Sequence, residues 1–162
     1  MNYDAAWPIM GAKYTALVPA RMVNGEVTPL KRSEILPLGV TRKQILTEAP
    51  AAAAQVLATL TPEYVRDANK VIQYAVLQSD SQLTASAVLA PGFADKFADT
   101  LGPDILVAIP NRNHIFIFPK LSSIYKSMAD IVIAEYKSSP CPVSEELFSF
   151  RNGKLIAVGT YQ

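Results

Sequence analysis

Cysteine, histidine and tryptophan each occur only once in this sequence of 162 residues. The single cysteine, Cys141, lies between Pro140 and Pro142 and has no second cysteine with which to form an internal disulfide or a multi-cysteine metal site. The single histidine, His114, has no second histidine with which to share a metal ion. We therefore predict no metal site, and the lack of a disulfide framework favours the reducing cytoplasm as the location.

A long hydrophobic run and a strong excess of one charge are also missing. The apolar runs at 105–110 and 115–119 are separated by four polar residues, and neither approaches the roughly 20 residues that a membrane helix needs. The 15 basic and 14 acidic side chains are interspersed and give a formal net charge of +1. Such a balance indicates neither a membrane nor a nucleic acid as partner. The first 22 residues also lack the basic region that precedes the apolar core of a secretory signal.

Short motifs that carry known chemistries are absent as well. The sequence contains no GxGxxG, GxxxxGK(S/T), HExxH or GxSxG. It therefore lacks the first motif that a dinucleotide-binding protein, a P-loop protein, a zinc protease or a hydrolase of these types requires. Asp95 and Asp99 share a helix face, but we expect them on its solvated side. Cys141 has no basic neighbour in the sequence that would activate its thiol. We identify no catalytic residue and no cofactor, and the sequence favours a protein that is not an enzyme.

Turn and capping residues predict the elements of the first half. Asn24-Gly25 is a dipeptide that accepts the positive φ angles of a tight hairpin turn, and Thr41 with Gln44 forms a capping box. Pro50 lies inside the helix that this box begins, so we expect a kink or a break there. The predicted elements are a strand over 14–18, a strand over 26–29, a short helix over 33–36, a helix over 41–60 and a helical turn at 61–63.

The second half reads as hairpins separated by helices. A helix over 93–101 would place Phe93, Phe97 and Leu101 on one face and pack the two phenylalanines on a hairpin of strands 105–109 and 114–118. The remaining predicted elements are strands over 71–77 and 83–89, a helix from 122 or 123 to about 137, and strands on either side of Asn152-Gly153. This order predicts an α+β fold: an antiparallel or mixed sheet built from hairpins, with helices packed on it, in a single domain over 1–162 whose residues 1–12 form a loose N-terminal segment.

The strands at 105–109 and 114–118 are apolar at odd and even positions alike, whereas a strand with one face in water would alternate. Both faces of the sheet should therefore be covered. Two arrangements meet this requirement: helices on both sides, or an aromatic face that associates with a second copy of the chain or with another protein partner. That face would carry Phe116, Phe118, Phe148 and Phe150.

The turn between these strands is the one place where a histidine, an arginine and two amides crowd together, as Asn111, Arg112, Asn113 and His114. A functional interpretation is a clamp for an anion, since Arg offers a planar fork for phosphate or carboxylate and a protonated His adds a second donor in acidic solution. The structural interpretation is a hairpin turn whose Arg112 side chain is simply solvated.

Several segments resemble the uncharacterised YtpQ-like bacterial proteins and their clostridial relatives. The likeness is carried by Asn24-Gly25-Glu26, Glu34-Ile35-Leu36, Leu38-Gly39-Val40-Thr41, Ala87 to Phe93 and Leu106 to Pro110, and it covers about residues 22 to 158. Many such relatives carry an asparagine near position 52, where this chain has alanines. The resemblance implies a soluble bacterial protein and no established activity. We expect a non-catalytic interaction or regulatory module or, as the alternative, a binder of a small anionic ligand or nucleic acid through Asn111 to His114.

Overall fold

The computed structural model describes residues 5–161, whose ten strands form two two-stranded ribbons and one six-stranded sheet. In chain order the strands span Trp7–Pro8 (β1), Ala16–Leu17 (β2), Ala20–Val23 (β3), Glu26–Pro29 (β4), Glu63–Arg66 (β5), Ile72–Gln78 (β6), Ile105–Asn111 (β7), His114–Pro119 (β8), Glu146–Arg151 (β9) and Lys154–Thr160 (β10). The α-helices span Arg32–Ile35 (α1), Arg42–Thr59 (α2), Ala98–Leu101 (α3), Ile124–Ser127 (α4) and Ala129–Ser138 (α5). Two 3-10 helices cover Thr84–Leu89 and Asp95–Phe97. The fold class is α+β, as the sequence predicts.

The six-stranded sheet is antiparallel throughout, in the order β10-β9-β7-β8-β6-β5. The predicted hairpin at its centre is confirmed, with Leu106 opposite Phe118 and Ala108 opposite Phe116 in β7 and β8. The hairpin of β9 and β10 is confirmed too, and its Asn152 and Gly153 both have positive φ. These turns form where the sequence places them because Asn and Gly tolerate left-handed backbone.

Helical elements cover both faces of the sheet, which is the first of the two arrangements that the apolar strands allow. One face packs Val107 and Ile117 against Phe93, Phe97 and the C-terminal half of α2. The opposite face carries Leu106, Ala108, Phe116 and Phe118. These side chains pack against Met128, which directly precedes α5, and against Val132 within α5. Successive strand residues thus belong to different cores, because side chains of a strand alternate between faces.

The prediction of a strand at 83–89 was wrong, because this segment forms a 3-10 helix instead. Hydroxyl side chains bend the chain before it can extend: the Ser81 hydroxyl accepts from the Leu83 N–H, and the Thr84 hydroxyl donates to the Ser81 carbonyl. The helix then buries Ala87 and Val88 beneath α2. Strand β6 therefore pairs with β5 and β8 rather than with this segment.

Three helix predictions also need correction. The helical turn at 61–63 was wrong, since Glu63–Arg66 is an edge strand rich in the strand formers Tyr64 and Val65. Of the kink or break expected at Pro50, the break does not occur, since the run of alanines that follows, with its high helix propensity, continues α2 to Thr59; the kink stays a prediction. The helix over 122–137 divides at Met128 into α4 and α5, so that Met128 can be buried.

Residues 5–12 are not a loose segment but lie along the edge of the sheet. Ala5 and Ile9 are buried, and the Met10 carbonyl accepts a hydrogen bond of 2.9 Å from the Ala157 N–H. Gly11 has φ of +80° and approaches the backbone of Ala157 closely. Residues 1–4, which complete the predicted loose segment, lie outside the described residues.

Residues 20–46, which we call the open segment, contain β3, β4, α1 and the first residues of α2. The predicted hairpin turn and helix start are confirmed here: Asn24 and Gly25 have positive φ, and the Thr41 hydroxyl accepts from the Gln44 N–H at 3.1 Å. Leu30 is the one buried residue of this segment. Local turn and capping bonds thus shape the open segment, whereas tertiary burial contributes little to it.

Candidate functional site

The turn between β7 and β8 borders an open cleft of about 370 Å³. The turn, the end of β6 and the C-terminal end of α5 surround it, because α5 packs against β7 on this face of the sheet. All the residues that line the cleft are polar: Gln78, Asn111, Asn113, His114, Glu135, Ser138 and Ser139. Three of the four residues predicted from the turn therefore lie at the cleft, and Arg112 does not line it.

The two asparagines mainly hold the turn. The Asn111 side-chain oxygen accepts from the Asn113 N–H at 3.0 Å, and the Asn113 amide donates to the carbonyls of Ser79 and Ser81. Among the described residues other than glycine, positive φ occurs only at Asn24, Lys70 and Asn152, so this turn does not use left-handed asparagine. It is closed by side-chain hydrogen bonds instead.

Arg112 is not the exposed side chain that the sequence predicts. It is half-buried, and its Nε is shielded from solvent and has no hydrogen-bond partner. Its backbone is bonded on both sides, from its N–H to the Cys141 carbonyl and from the Ala85 N–H to its own carbonyl. The turn is therefore tied to the 3-10 helix at 84–89 and to the loop that contains Cys141, and Arg112 is not the simply solvated side chain of the structural interpretation.

His114 forms the shortest polar contact of the cleft, with Glu135 on α5. Its Nδ1 lies 2.7 Å from Glu135 Oε2, which also accepts from the Asn111 amide at 3.3 Å. The His114 ring packs against Phe116 with their centroids 4.8 Å apart. Because an ionised carboxylate only accepts, Nδ1 carries the proton in neutral His114 and Nε2 is an acceptor.

Glu135 is the charged residue of the cleft that sequence reasoning did not single out. It lies on the helix face that carries Met128 and Val132, both of which pack on the sheet. A carboxylate at that position of a predicted amphipathic helix was the available signal, since a charged side chain on a buried face needs a partner. Its presence places a negative charge where the anion-clamp interpretation requires a positive one, so the cleft disfavours an anion.

The four phenylalanines suggested as an interface lie within this chain. Phe116, Phe118 and Phe148 are buried, and Phe150 is half-buried and stacks on Phe93 with centroids 5.5 Å apart. They therefore do not form an exposed aromatic face. Self-association itself stays a prediction.

Large exposed apolar side chains concentrate instead in the open segment. Of eleven such residues among 5–161, five lie between positions 20 and 46. The open segment is less than a quarter of the described residues, yet it contains nearly half of these side chains. They are Met22, Val23, Leu36, Leu38 and Leu46. The segment also carries five basic and two acidic side chains, a net charge of +3, while the rest of the chain carries −2. Nη2 of Arg21 lies 3.7 Å from Oε1 of Glu34, and this ion pair places β3 beside α1.

Two buried polar groups lie away from the cleft. Glu146 accepts from the Lys13 N–H at 2.7 Å through one oxygen, and its other oxygen has no partner. Burial raises the pKa of Tyr161 far above its usual value, with Tyr125 as a second cause, so the phenol stays protonated in ordinary buffers. Neither group lines the cleft.

Comparison with known proteins identifies no family: no family model, curated protein or solved structure matches this chain. The resemblance to the YtpQ-like proteins therefore stays a prediction. Over residues 5–161, no helix is both long and apolar enough to span a membrane. Within the same residues, no group of three or more His, Cys, Asp or Glu side chains is placed to hold a metal ion.

Proposed function

We propose that this chain is a non-catalytic interaction or regulatory module of the cytoplasm whose open segment binds an extended, acidic segment of a partner protein. The observation that carries the proposal is the open segment itself, which exposes large apolar side chains and has a net charge of +3. A partner segment that alternates acidic and apolar residues would match both properties.

The outer edge of β3 favours a protein strand as the partner. Among the described residues, β3 pairs only with β4, whereas the far side of β4 contacts Gln82 through a hydrogen bond of 3.1 Å from the Val27 N–H. The backbone N–H and C=O groups along the outer edge of β3 are therefore open to an added strand. A lipid surface has no backbone groups with which to pair.

Charge argues against a second copy of this chain in the same position. A symmetric dimer through the open segment would place +3 against +3. An acidic partner instead meets a complementary surface, and such complementarity speeds association and selects the correct partner.

The first test uses a synthetic peptide of about eight residues that alternates glutamate and valine, a length typical of one added strand. A second peptide with the same side chains is N-methylated at every residue, so it has no backbone N–H with which to donate a hydrogen bond. Fluorescence anisotropy should show binding of the first peptide that weakens as salt rises. The N-methylated peptide should bind at least about tenfold more weakly. Equal affinity of the two peptides would contradict strand addition.

The second test uses variants of the chain. Met22→Ser with Leu36→Ser should weaken binding of the unmodified peptide at least about tenfold, since both side chains would be buried by the partner. Leu121→Ser with Ile131→Ser removes two exposed apolar side chains outside the open segment and should change affinity less than about twofold. A similar loss in both variants, or binding to anionic phospholipid vesicles without binding to the peptide, would refute the proposal.

A further inference from the structure

The cleft beside the turn presents hydrogen-bond acceptors at its charged centre. Glu135 uses Oε2 for both His114 and Asn111, and no described residue donates to its Oε1. In neutral His114 the proton is on Nδ1, so Nε2 is a second acceptor, to which no described residue donates. These two groups suit a ligand that carries N–H donors.

The electrostatics of the cleft point the same way. Glu135 is the one residue of its lining that is negatively charged at neutral pH, and the lining contains no lysine or arginine. Ser138 and Ser139 place the C-terminal end of α5 at the rim, where the partial negative charge of the helix dipole also favours a cation. The His114 and Glu135 side chains are 17% and 27% exposed, so their charges are only partly screened by water.

We propose that this cleft binds a small organic cation with an ammonium or guanidinium group, held between Glu135 Oε1 and His114 Nε2. Gln78 and the two serines supply further polar contacts, and Asn111 and Phe116 hold the acceptors in place. The cleft has the size of small-molecule sites in general, but its lining is polar throughout, which selects for a charged and strongly hydrogen-bonding ligand.

The proposal fixes the direction of the pH dependence. Protonated His114 loses its Nε2 acceptor and brings a positive charge that repels the ligand. The other charged group facing His114 is Glu135 from α5, whereas β6 and β7 contribute the neutral Gln78 and Asn111. Arg112, two residues before His114, stays positively charged whether His114 is neutral or protonated. Affinity for a cation should therefore be higher with neutral His114 than with protonated His114, while affinity for an anion would be lower.

The single histidine makes the test direct, because the imidazole signals in an NMR spectrum can only come from His114. Methylguanidinium chloride and inorganic phosphate are titrated separately at constant ionic strength. We expect saturable shifts of the His114 ring signals with methylguanidinium, larger affinity at the higher pH, and no saturation with phosphate. Tighter phosphate binding as the pH falls would overturn the proposal in favour of an anion site at the turn.

Matched variants locate the cation. Glu135→Gln should weaken methylguanidinium binding about tenfold, since it removes a charge-assisted hydrogen bond. Asp130→Asn makes the same change on an exposed position of α5 and should leave affinity within about twofold. Gln78→Lys adds a positive charge at an exposed position of the cleft and should weaken binding even if Glu135→Gln perturbs folding, which circular dichroism reports. Unchanged affinity in a folded Glu135→Gln or Gln78→Lys protein would refute the site.

Discussion

The six-stranded sheet and the open segment contain similar apolar residues, yet the sheet buries most of them and the open segment buries only Leu30. Both regions take their local shape from turn and capping signals, such as Asn152-Gly153 in one and Asn24-Gly25 in the other. The sheet then gains cores on both faces, whereas the open segment has no facing layer. Local signals therefore determine the path of the chain, but they do not determine whether its apolar side chains are buried against another part of the same chain.

Truncation of one large side chain in each region should give the largest difference in unfolding free energy between the sheet and the open segment. Phe118 is fully buried in the core beneath α5, so Phe118→Ala should lower the free energy of unfolding by about 3–5 kcal/mol. Leu36 is 84% exposed, and Leu36→Ala should change it by less than about 0.5 kcal/mol. Urea denaturation measures both. A large effect of Leu36→Ala would show that the open segment is packed after all.

A pair of leucines on α2 makes the comparison within one helix. Leu57 is 8% exposed and belongs to the core, whereas Leu46 is 53% exposed in the open segment. Leu57→Ala should lower the unfolding free energy by about 2–4 kcal/mol, and Leu46→Ala by less than about 0.5 kcal/mol. Both changes are chemically the same and affect helix propensity alike, so equal losses in urea denaturation would mean that burial does not distinguish the two halves of α2.

Two glycines with positive φ sharpen the comparison at the backbone. Alanine at Gly11, where φ is +80°, would bring its Cβ against the backbone oxygen of Ala157, whereas Gly25, with φ of +83°, has no atom near the added carbon. Gly25→Ala should lower the free energy of unfolding by about 1 kcal/mol, because only the left-handed backbone conformation disfavours the alanine side chain. Gly11→Ala should lower it by about 2–3 kcal/mol, because steric overlap with the sheet edge is added. Equal losses of unfolding free energy in the two variants would mean that residues 5–12 can move away from the sheet edge without destabilising the protein.

The sequence was sufficient for those parts of the fold that depend on local residues. Apolar runs and Asn-Gly pairs predicted the hairpins of β7 with β8 and of β9 with β10, and Thr41 predicted the start of α2. The segment at 83–89 was mistaken for a strand because its apolar residues suit a strand as well as a buried helix, and only the hydroxyl bonds of Ser81 and Thr84 decide between them. Local side-chain hydrogen bonds thus decide between two conformations that the apolar pattern leaves open.

The candidate site was half predictable for a similar reason. Asn111 to His114 stood out because polar residues interrupt two apolar strands. The partner of His114 could not be found this way, since Glu135 lies 21 residues further along the chain and reaches the turn only when α5 packs on the sheet. Its carboxylate reverses the charge of the ligand that the turn alone suggested. The half-burial of Arg112 likewise depends on loops that the sequence leaves unplaced.

If the open segment is a contact surface and the six-stranded sheet is its scaffold, a bound peptide should protect the open segment and leave the sheet unchanged. Amide hydrogen exchange, followed with and without a saturating concentration of the glutamate-valine peptide, measures this protection. We predict that protection increases in β3 and its neighbours between residues 20 and 46, while β6 to β9 exchange at the same slow rates in both conditions. Increased protection confined to the β5 edge of the sheet, or no increase anywhere at saturation, would contradict it.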